Sequence, residues 1–112
     1  MVVEPGEKLF IVTRRLFEGD LRRHFVGEVK AATESTVRLE GYTFVFDAGI
    51  GKFVREERRG RIFGLGDSGF IIIIIPKDAD LDRVSHRFSE KGGQVLSDGK
   101  TFELNVNEFS ER

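Results

Sequence analysis

Short apolar runs separated by glycine, not long amphipathic stretches, dominate the chain. Leu9-Phe10-Ile11-Val12 follows the turn signal Pro5-Gly6 and predicts a first strand. A helix from Leu9 to Phe17 is the competing reading, because Leu9, Val12 and Leu16 also recur at helical spacing. From His24 to Lys30, Phe25, Gly27 and Val29 alternate with Val26, Glu28 and Lys30, the period of a strand. Thr36 to Asp47 predicts a long strand with Val37, Leu39 and Gly41 on one face and Phe44 and Phe46 on the other. Its phase changes near Gly41-Tyr42, and a glycine in mid-strand marks a bulge or a sharp bend. After the Gly49-Ile50-Gly51 turn, Lys52 to Arg55 forms a short returning strand, and Arg61 to Phe63 fits another.

Gly69 to Ile75 carries the strongest strand signal, five consecutive isoleucines ended by Pro76. Phe70, Ile72 and Ile74 point one way and Ile71, Ile73 and Ile75 the other, so both faces demand cover. Burying one isoleucine side chain is worth roughly 1.5–3 kcal/mol, and a bare face invites aggregation. Two covers are available. One is a helix over about 79–91, with Leu81, Val84 and Phe88 at i, i+3 and i+7, Asp78 or Asp80 as N-cap and Gly92-Gly93 as the stop. The other is a second chain, which makes Ile71, Ile73 and Ile75 candidates for an oligomer interface. A hairpin over about 94–106 follows, turning at Ser97-Asp98-Gly99-Lys100. The expected fold is mainly β (α+β), one domain over 1–112: a small bent β-barrel in 1–76 with an α-β-β extension in 77–112 packed on it.

The stretch Phe25-Val26-Gly27-Glu28-Val29, followed after a spacer by Val37-Arg38-Leu39-Glu40-Gly41-Tyr42, resembles the opening strands of Sm-like small β-barrels. Gly64-Leu65-Gly66-Asp67-Ser68-Gly69 leading into Phe70–Ile75 and Pro76 is similar to the second Sm signature, a glycine turn before an apolar strand. The resemblance covers about residues 24–76. It implies an SH3-like or Sm-like barrel and strand addition between copies, as a ring or a dimer. It does not extend to the family's RNA site. Phe46-Asp47-Ala48-Gly49-Ile50-Gly51 lacks the asparagine, and Leu65-Gly66 lacks the basic residue, so no binding residue is carried over.

Composition narrows the chemistry. There is no Cys, which excludes disulfides, thiolate zinc sites and a cysteine nucleophile. The chain is 39% hydrophobic with a net charge of −1, which argues against general disorder. No apolar run approaches the ~18–20 residues that span a bilayer. The N-terminus has no apolar signal core, so a soluble, cytoplasmic protein is expected. Eleven Phe stand against one Tyr and no Trp, an inventory suited to a core. Phe17 and Phe109 fall outside every predicted strand and are candidates for a contact surface.

Positive charge concentrates in two places. Arg14, Arg15, Arg22 and Arg23 bracket one loop; Arg55, Arg58, Arg59 and Arg61 form the second cluster. Guanidinium groups clamp phosphates bidentately, so these residues are candidates for binding RNA or another phosphoanion. The competing reading is a solvated face paired to Glu18, Asp20, Glu56 and Glu57. Residues 63–112 are acidic, with 6 basic and 9 acidic groups. Gly64-x-Gly66-x-x-Gly69 matches a dinucleotide fingerprint by count, but a strand follows where the phosphate site needs a helix. Asp78-Ala79-Asp80-Leu81-Asp82 lacks the glycine and glutamate of a calcium loop and suits a helix N-terminus better. His24 and His86 have no ligand-spaced partner and read as exposed polar residues. With no acid–base constellation, no cofactor and no metal are expected. The leading expectation is a noncatalytic module that self-associates by strand addition near Ile71–Ile75. The alternative is an RNA- or phosphoanion-binding protein.

Overall fold

The computed structural model describes residues 3–13, 23–66, 70–88 and 93–106. Nine strands appear in chain order: β1 (Lys8–Thr13), β2 (Arg23–Ala32), β3 (Thr36–Asp47), β4 (Lys52–Arg55), β5 (Arg59–Gly64), β6 (Phe70–Ile75), β7 (Ser85–Phe88), β8 (Gln94–Ser97) and β9 (Glu103–Asn105). The first six form one sheet in the order β4-β3-β2-β1-β6, with β5 also on β3; the last three form a second sheet in the order β7-β8-β9. Every pairing is antiparallel. β4 and β5 share one edge of β3: β5 pairs with Thr36–Gly41 and β4 with Phe44–Asp47. Leu9–Val12 lies in β1, so the strand reading prevails over the helix.

Strand alternation gives the large sheet two apolar faces. One buries Leu9, Ile11, Phe25, Val29, Val37, Leu39 and Phe63, with Phe70 and Ile72 packed against them. The sheet curls around this face until Phe63 of β5 meets Phe25 at 5.2 Å and Phe70 of β6 at 5.3 Å. The other face buries Phe10, Val12, Val26, Phe44 and Ile75 against Leu81, Val84, Leu96 and Val106, with Ile71 and Ile73 packed in.

Three expectations are corrected. First, the barrel does not close. β5 and β6 touch through side chains, but no ladder joins them among the described residues. Second, no C-terminal helix is present among the described residues. Residues Leu81–Arg83 form a single 3-10 turn, and Ser85–Phe88 is a strand. Asp80 does cap the turn, accepting from the Asp82 amide at 3.1 Å. The stripe misled because Val84 and Phe88 satisfy a period of two as well as of 3.6, and the residue between them, His86, read as polar. Leu81 and Val84 still cover the isoleucine face, from a turn and a small sheet instead of a helix.

Third, β3 keeps one phase throughout. Val37 and Leu39 face one core and Tyr42 and Phe44 the other, and the apparent flip marks where the second sheet begins to cover the even-numbered face. The bulge sits instead in β2, where the register shifts between Val29 and Ala31. No helix among the described residues is long and apolar enough to cross a membrane.

Candidate functional site

Sheet curvature decides where the arginines lie. Arg23 opens β2 opposite Thr13, the last residue of β1, while Arg61 sits on β5 at the other side of the sheet. The curl brings both to one open cleft of about 480 Å³, lined by Thr13, Arg23, Arg61, Ile62, Phe63 and Phe70. Among the described residues, each cluster thus contributes one arginine to the same cavity. Neither Arg23 nor Arg61 forms an ion pair among the described residues.

Arg55 and Arg58 are engaged elsewhere. Arg58 donates from Nε to Glu40 Oε1 at 2.9 Å and from Nη1 to Asp82 Oδ1 at 3.2 Å. Arg55 donates to the Asp82 carbonyl at 2.6 Å, and its guanidinium lies 4.7 Å from the centre of the Tyr42 ring. The Tyr42 hydroxyl donates to the Asp82 carboxylate. The Arg58 hydrogen bond and charge hold the Glu40 carboxyl below its usual range, and the Tyr42 hydrogen bond does the same for Asp82. Glu40, with Tyr42 behind it, raises Arg58 further. Arg58 is thus ion-paired to Glu40 and Asp82, and Arg55 is held by a backbone carbonyl and the Tyr42 ring; among the described residues neither is paired to the neighbouring Glu56 or Glu57. Arg59 is exposed on β5 opposite Gly41. Arg14, Arg15, Arg22, Phe17 and Phe109 lie outside the described residues.

The isoleucine strand lies at a sheet edge. β6 pairs with β1 on one side, and its other side has no ladder partner among the described residues. Ile71, Ile73 and Ile75 turn toward the second sheet, while Ile74 is 61% exposed. An added strand would meet the β6 backbone and Ile74. The opposite edge carries Lys52, Arg55, Arg59 and Arg61, the kind of charge that discourages pairing. β6 carries none.

The two histidines meet. His24 on β2 is 1% exposed, and its Nδ1 is 2.8 Å from Nε2 of His86 on β7, so one hydrogen bond joins the two sheets. Phe53 of β4 stacks on both rings, at 4.4 Å from His24 and 4.2 Å from His86. Phe10 and Phe44 meet the rings edge-on. Burial pushes His86 down to about 4. A cleft of about 180 Å³ beside the pair is lined by Lys52, Phe53, His86 and Gln94. Among the described residues no group of three or more His, Cys, Asp or Glu could hold a metal ion. The hydrogen bond ties the two sheets together, and among the described residues no carboxylate is placed against the pair. The sequence did hold a signal: His24 alternates with Val26, and His86 with Val84, so both histidines occupy apolar phases of their strands.

Compared with known proteins, the chain matches no protein-family model and shows no significant similarity to a curated protein or to a solved structure.

Proposed function

We propose that this protein is a noncatalytic binding and assembly module that joins a second copy of itself through the free edge of β6. The observation that carries this reading is the asymmetry of the two sheet edges. One is lined with Lys and Arg, and the other is an uncharged run of Phe and five Ile with Ile74 in solvent. Folded proteins normally protect such an edge with a charge, a proline or a bulge. Here the six strand residues carry no such device. A two-fold pairing of β6 with its copy would satisfy the free N–H and C=O groups of both strands and bury both Ile74 side chains. The Sm-like pattern over residues 24–76 favours the same mode, since that likeness implies strand addition.

Sedimentation velocity at micromolar concentration tests the reading. The expected result is a dimer for the native chain and a monomer for Ile74→Lys, with the same circular dichroism for both. A native chain that remains monomeric up to ~100 µM, where even a weak complex would be partly populated, overturns it.

A further inference from the structure

The Arg23–Arg61 cleft has a composition that the assembly reading leaves unused. Arg23, Arg61 and Thr13 stand at a cavity whose other described lining residues are Ile62, Phe63 and Phe70. Among the described residues Arg58 pairs with Glu40 and Asp82, and Arg55 meets the Asp82 carbonyl and the Tyr42 ring, so both are engaged away from the cleft. In the cleft no described acid plays that part. Guanidiniums with no ion pair among the described residues, set beside an isoleucine and two phenylalanines, complement an anion that has an apolar body. The volume of about 480 Å³ falls in the range of small-ligand sites, roughly 300–1,000 Å³.

A nucleic-acid strand suits the surface less well. Polyanion binding draws on a track of cations spaced along several phosphates. Of the described arginines in the two clusters, only Arg23 and Arg61 line this cleft, and the paired Arg55 and Arg58 do not extend it. Among the described residues the charge is a focus, not a stripe; Arg14, Arg15 and Arg22 lie outside them.

We infer that the cleft binds a small molecule with one phosphate or carboxylate head held by Arg23 and Arg61 and an aromatic body seated on Ile62, Phe63 and Phe70. The head chemistry is shared by aryl phosphates and aryl carboxylates, and two probes distinguish them.

Amide chemical shifts of the full chain are followed on titration with phenyl phosphate, benzoate, inorganic phosphate and a 10-nucleotide single-stranded RNA. The expected result is saturable movement of the Thr13, Arg23, Arg61 and Phe70 signals with phenyl phosphate or benzoate at about 1 mM or below, an affinity within reach of a fragment of this size. The tighter of the two probes identifies the head. Inorganic phosphate, lacking the aromatic body, binds at least tenfold more weakly. Arg23→Ala and Arg61→Ala each weaken the organic probe at least tenfold. Both residues are exposed and have no ion pair among the described residues, so the thermal unfolding of the variants is expected to stay unchanged. The inference is overturned if neither organic probe saturates, if inorganic phosphate binds as tightly as the aryl compounds, or if the alanine variants bind undiminished. Tight RNA binding with a steep salt dependence, without aryl-anion binding, also overturns it in favour of a polyanion surface. The readout belongs to cleft residues, and repeating it on Ile74→Lys separates its outcome from that of the assembly reading.

Discussion

His24 and His86 are 62 residues apart in the chain and share one hydrogen bond between two sheets. Phe10, Phe44 and Phe53 surround the rings, an environment that favours neutral imidazole. The groups beside His86 are His24 from β2, Phe53 and Lys52 from β4, and Gln94 from β8. An unfolded His86 titrates near 6.5, whereas burial holds the folded one near 4. Between those values the unfolded chain carries a proton that the folded chain lacks, so stability falls as pH falls. One such proton corresponds to about 1.4 kcal/mol per pH unit. Denaturant unfolding between pH 7 and 4 should show this slope at the native chain, and His86→Phe should remove its own proton's share of it.

Asp98 behaves differently although it is only 3% exposed. Burial pushes its carboxyl up, but the Thr101 hydroxyl and the amides of Asp80, Lys100 and Thr101 together hold it well below the usual range. Its contribution is therefore present above the ordinary carboxylate value of 3.8 and is lost only in stronger acid. Asp98→Ala leaves three amides and a hydroxyl without their acceptor and should cost about 2–4 kcal/mol, equally at pH 5 and pH 7, by the same denaturation measurement.

At the scale of elements, β2 and β3 cross at a glycine pair, Gly27 opposite Gly41. A Cβ added to Gly41 would lie 2.0 Å from the Val26 carbonyl oxygen and 2.6 Å from the Gly27 Cα, both backbone atoms that cannot swing aside. Here β3 also passes from its pairing with β5 to its pairing with β4. Gly41→Ala should therefore destabilise by about 3 kcal/mol or more, the scale of severe overpacking. Gly60, on the neighbouring β5, has only one atom within reach of an added Cβ, at 3.8 Å, so Gly60→Ala should change stability by less than about 0.5 kcal/mol. Chemical denaturation of the two variants checks the contrast.

Gly41 stood out because a strand pattern ran through a residue that strands disfavour, but what it marks is a close backbone approach to β2, and the bulge lies in β2 itself. The bounds of β3, the β4 return, the isoleucine strand and the last hairpin were legible for a similar reason: alternation or β-branched runs ended at Gly, Pro or Asp. The helix over 79–91 was misread because one residue decides between the two periods. Had His86 been taken as apolar, Val84, His86 and Phe88 would have formed a strand phase. The cleft was invisible for another reason. Arg23 and Arg61 are neighbours only through the curl of a sheet whose edges remain unzipped, and nothing local in either segment encodes that meeting.

For the whole molecule, the question is how one sheet with two apolar faces covers both of them. Its curl hides the first face, and the three-stranded sheet hides the second. Among the described residues neither covers the outer edge of β6, with Ile74 61% exposed. Ile73 and Ile74 therefore differ in kind although they are adjacent and identical in sequence. Ile73 packs against the second sheet, so Ile73→Ala should lower the unfolding free energy of a single chain by about 2 kcal/mol or more. Ile74 contributes little to its own chain and should act through a partner. Assembly by β6 would couple folding to concentration, because anything that binds only the folded state stabilises it by mass action. Each tenfold dilution of a dimer above its dissociation constant then removes about 1.4 kcal/mol from the unfolding free energy per dimer. The expected outcome is a melting temperature that falls on dilution for the native chain and for Ile73→Ala, with the second curve displaced downward. For Ile74→Lys the melting temperature should be independent of concentration and equal to that of the diluted native chain. A native melting temperature that does not move over a hundredfold dilution would show that the bare edge of β6 is tolerated by the monomer and joins no second copy.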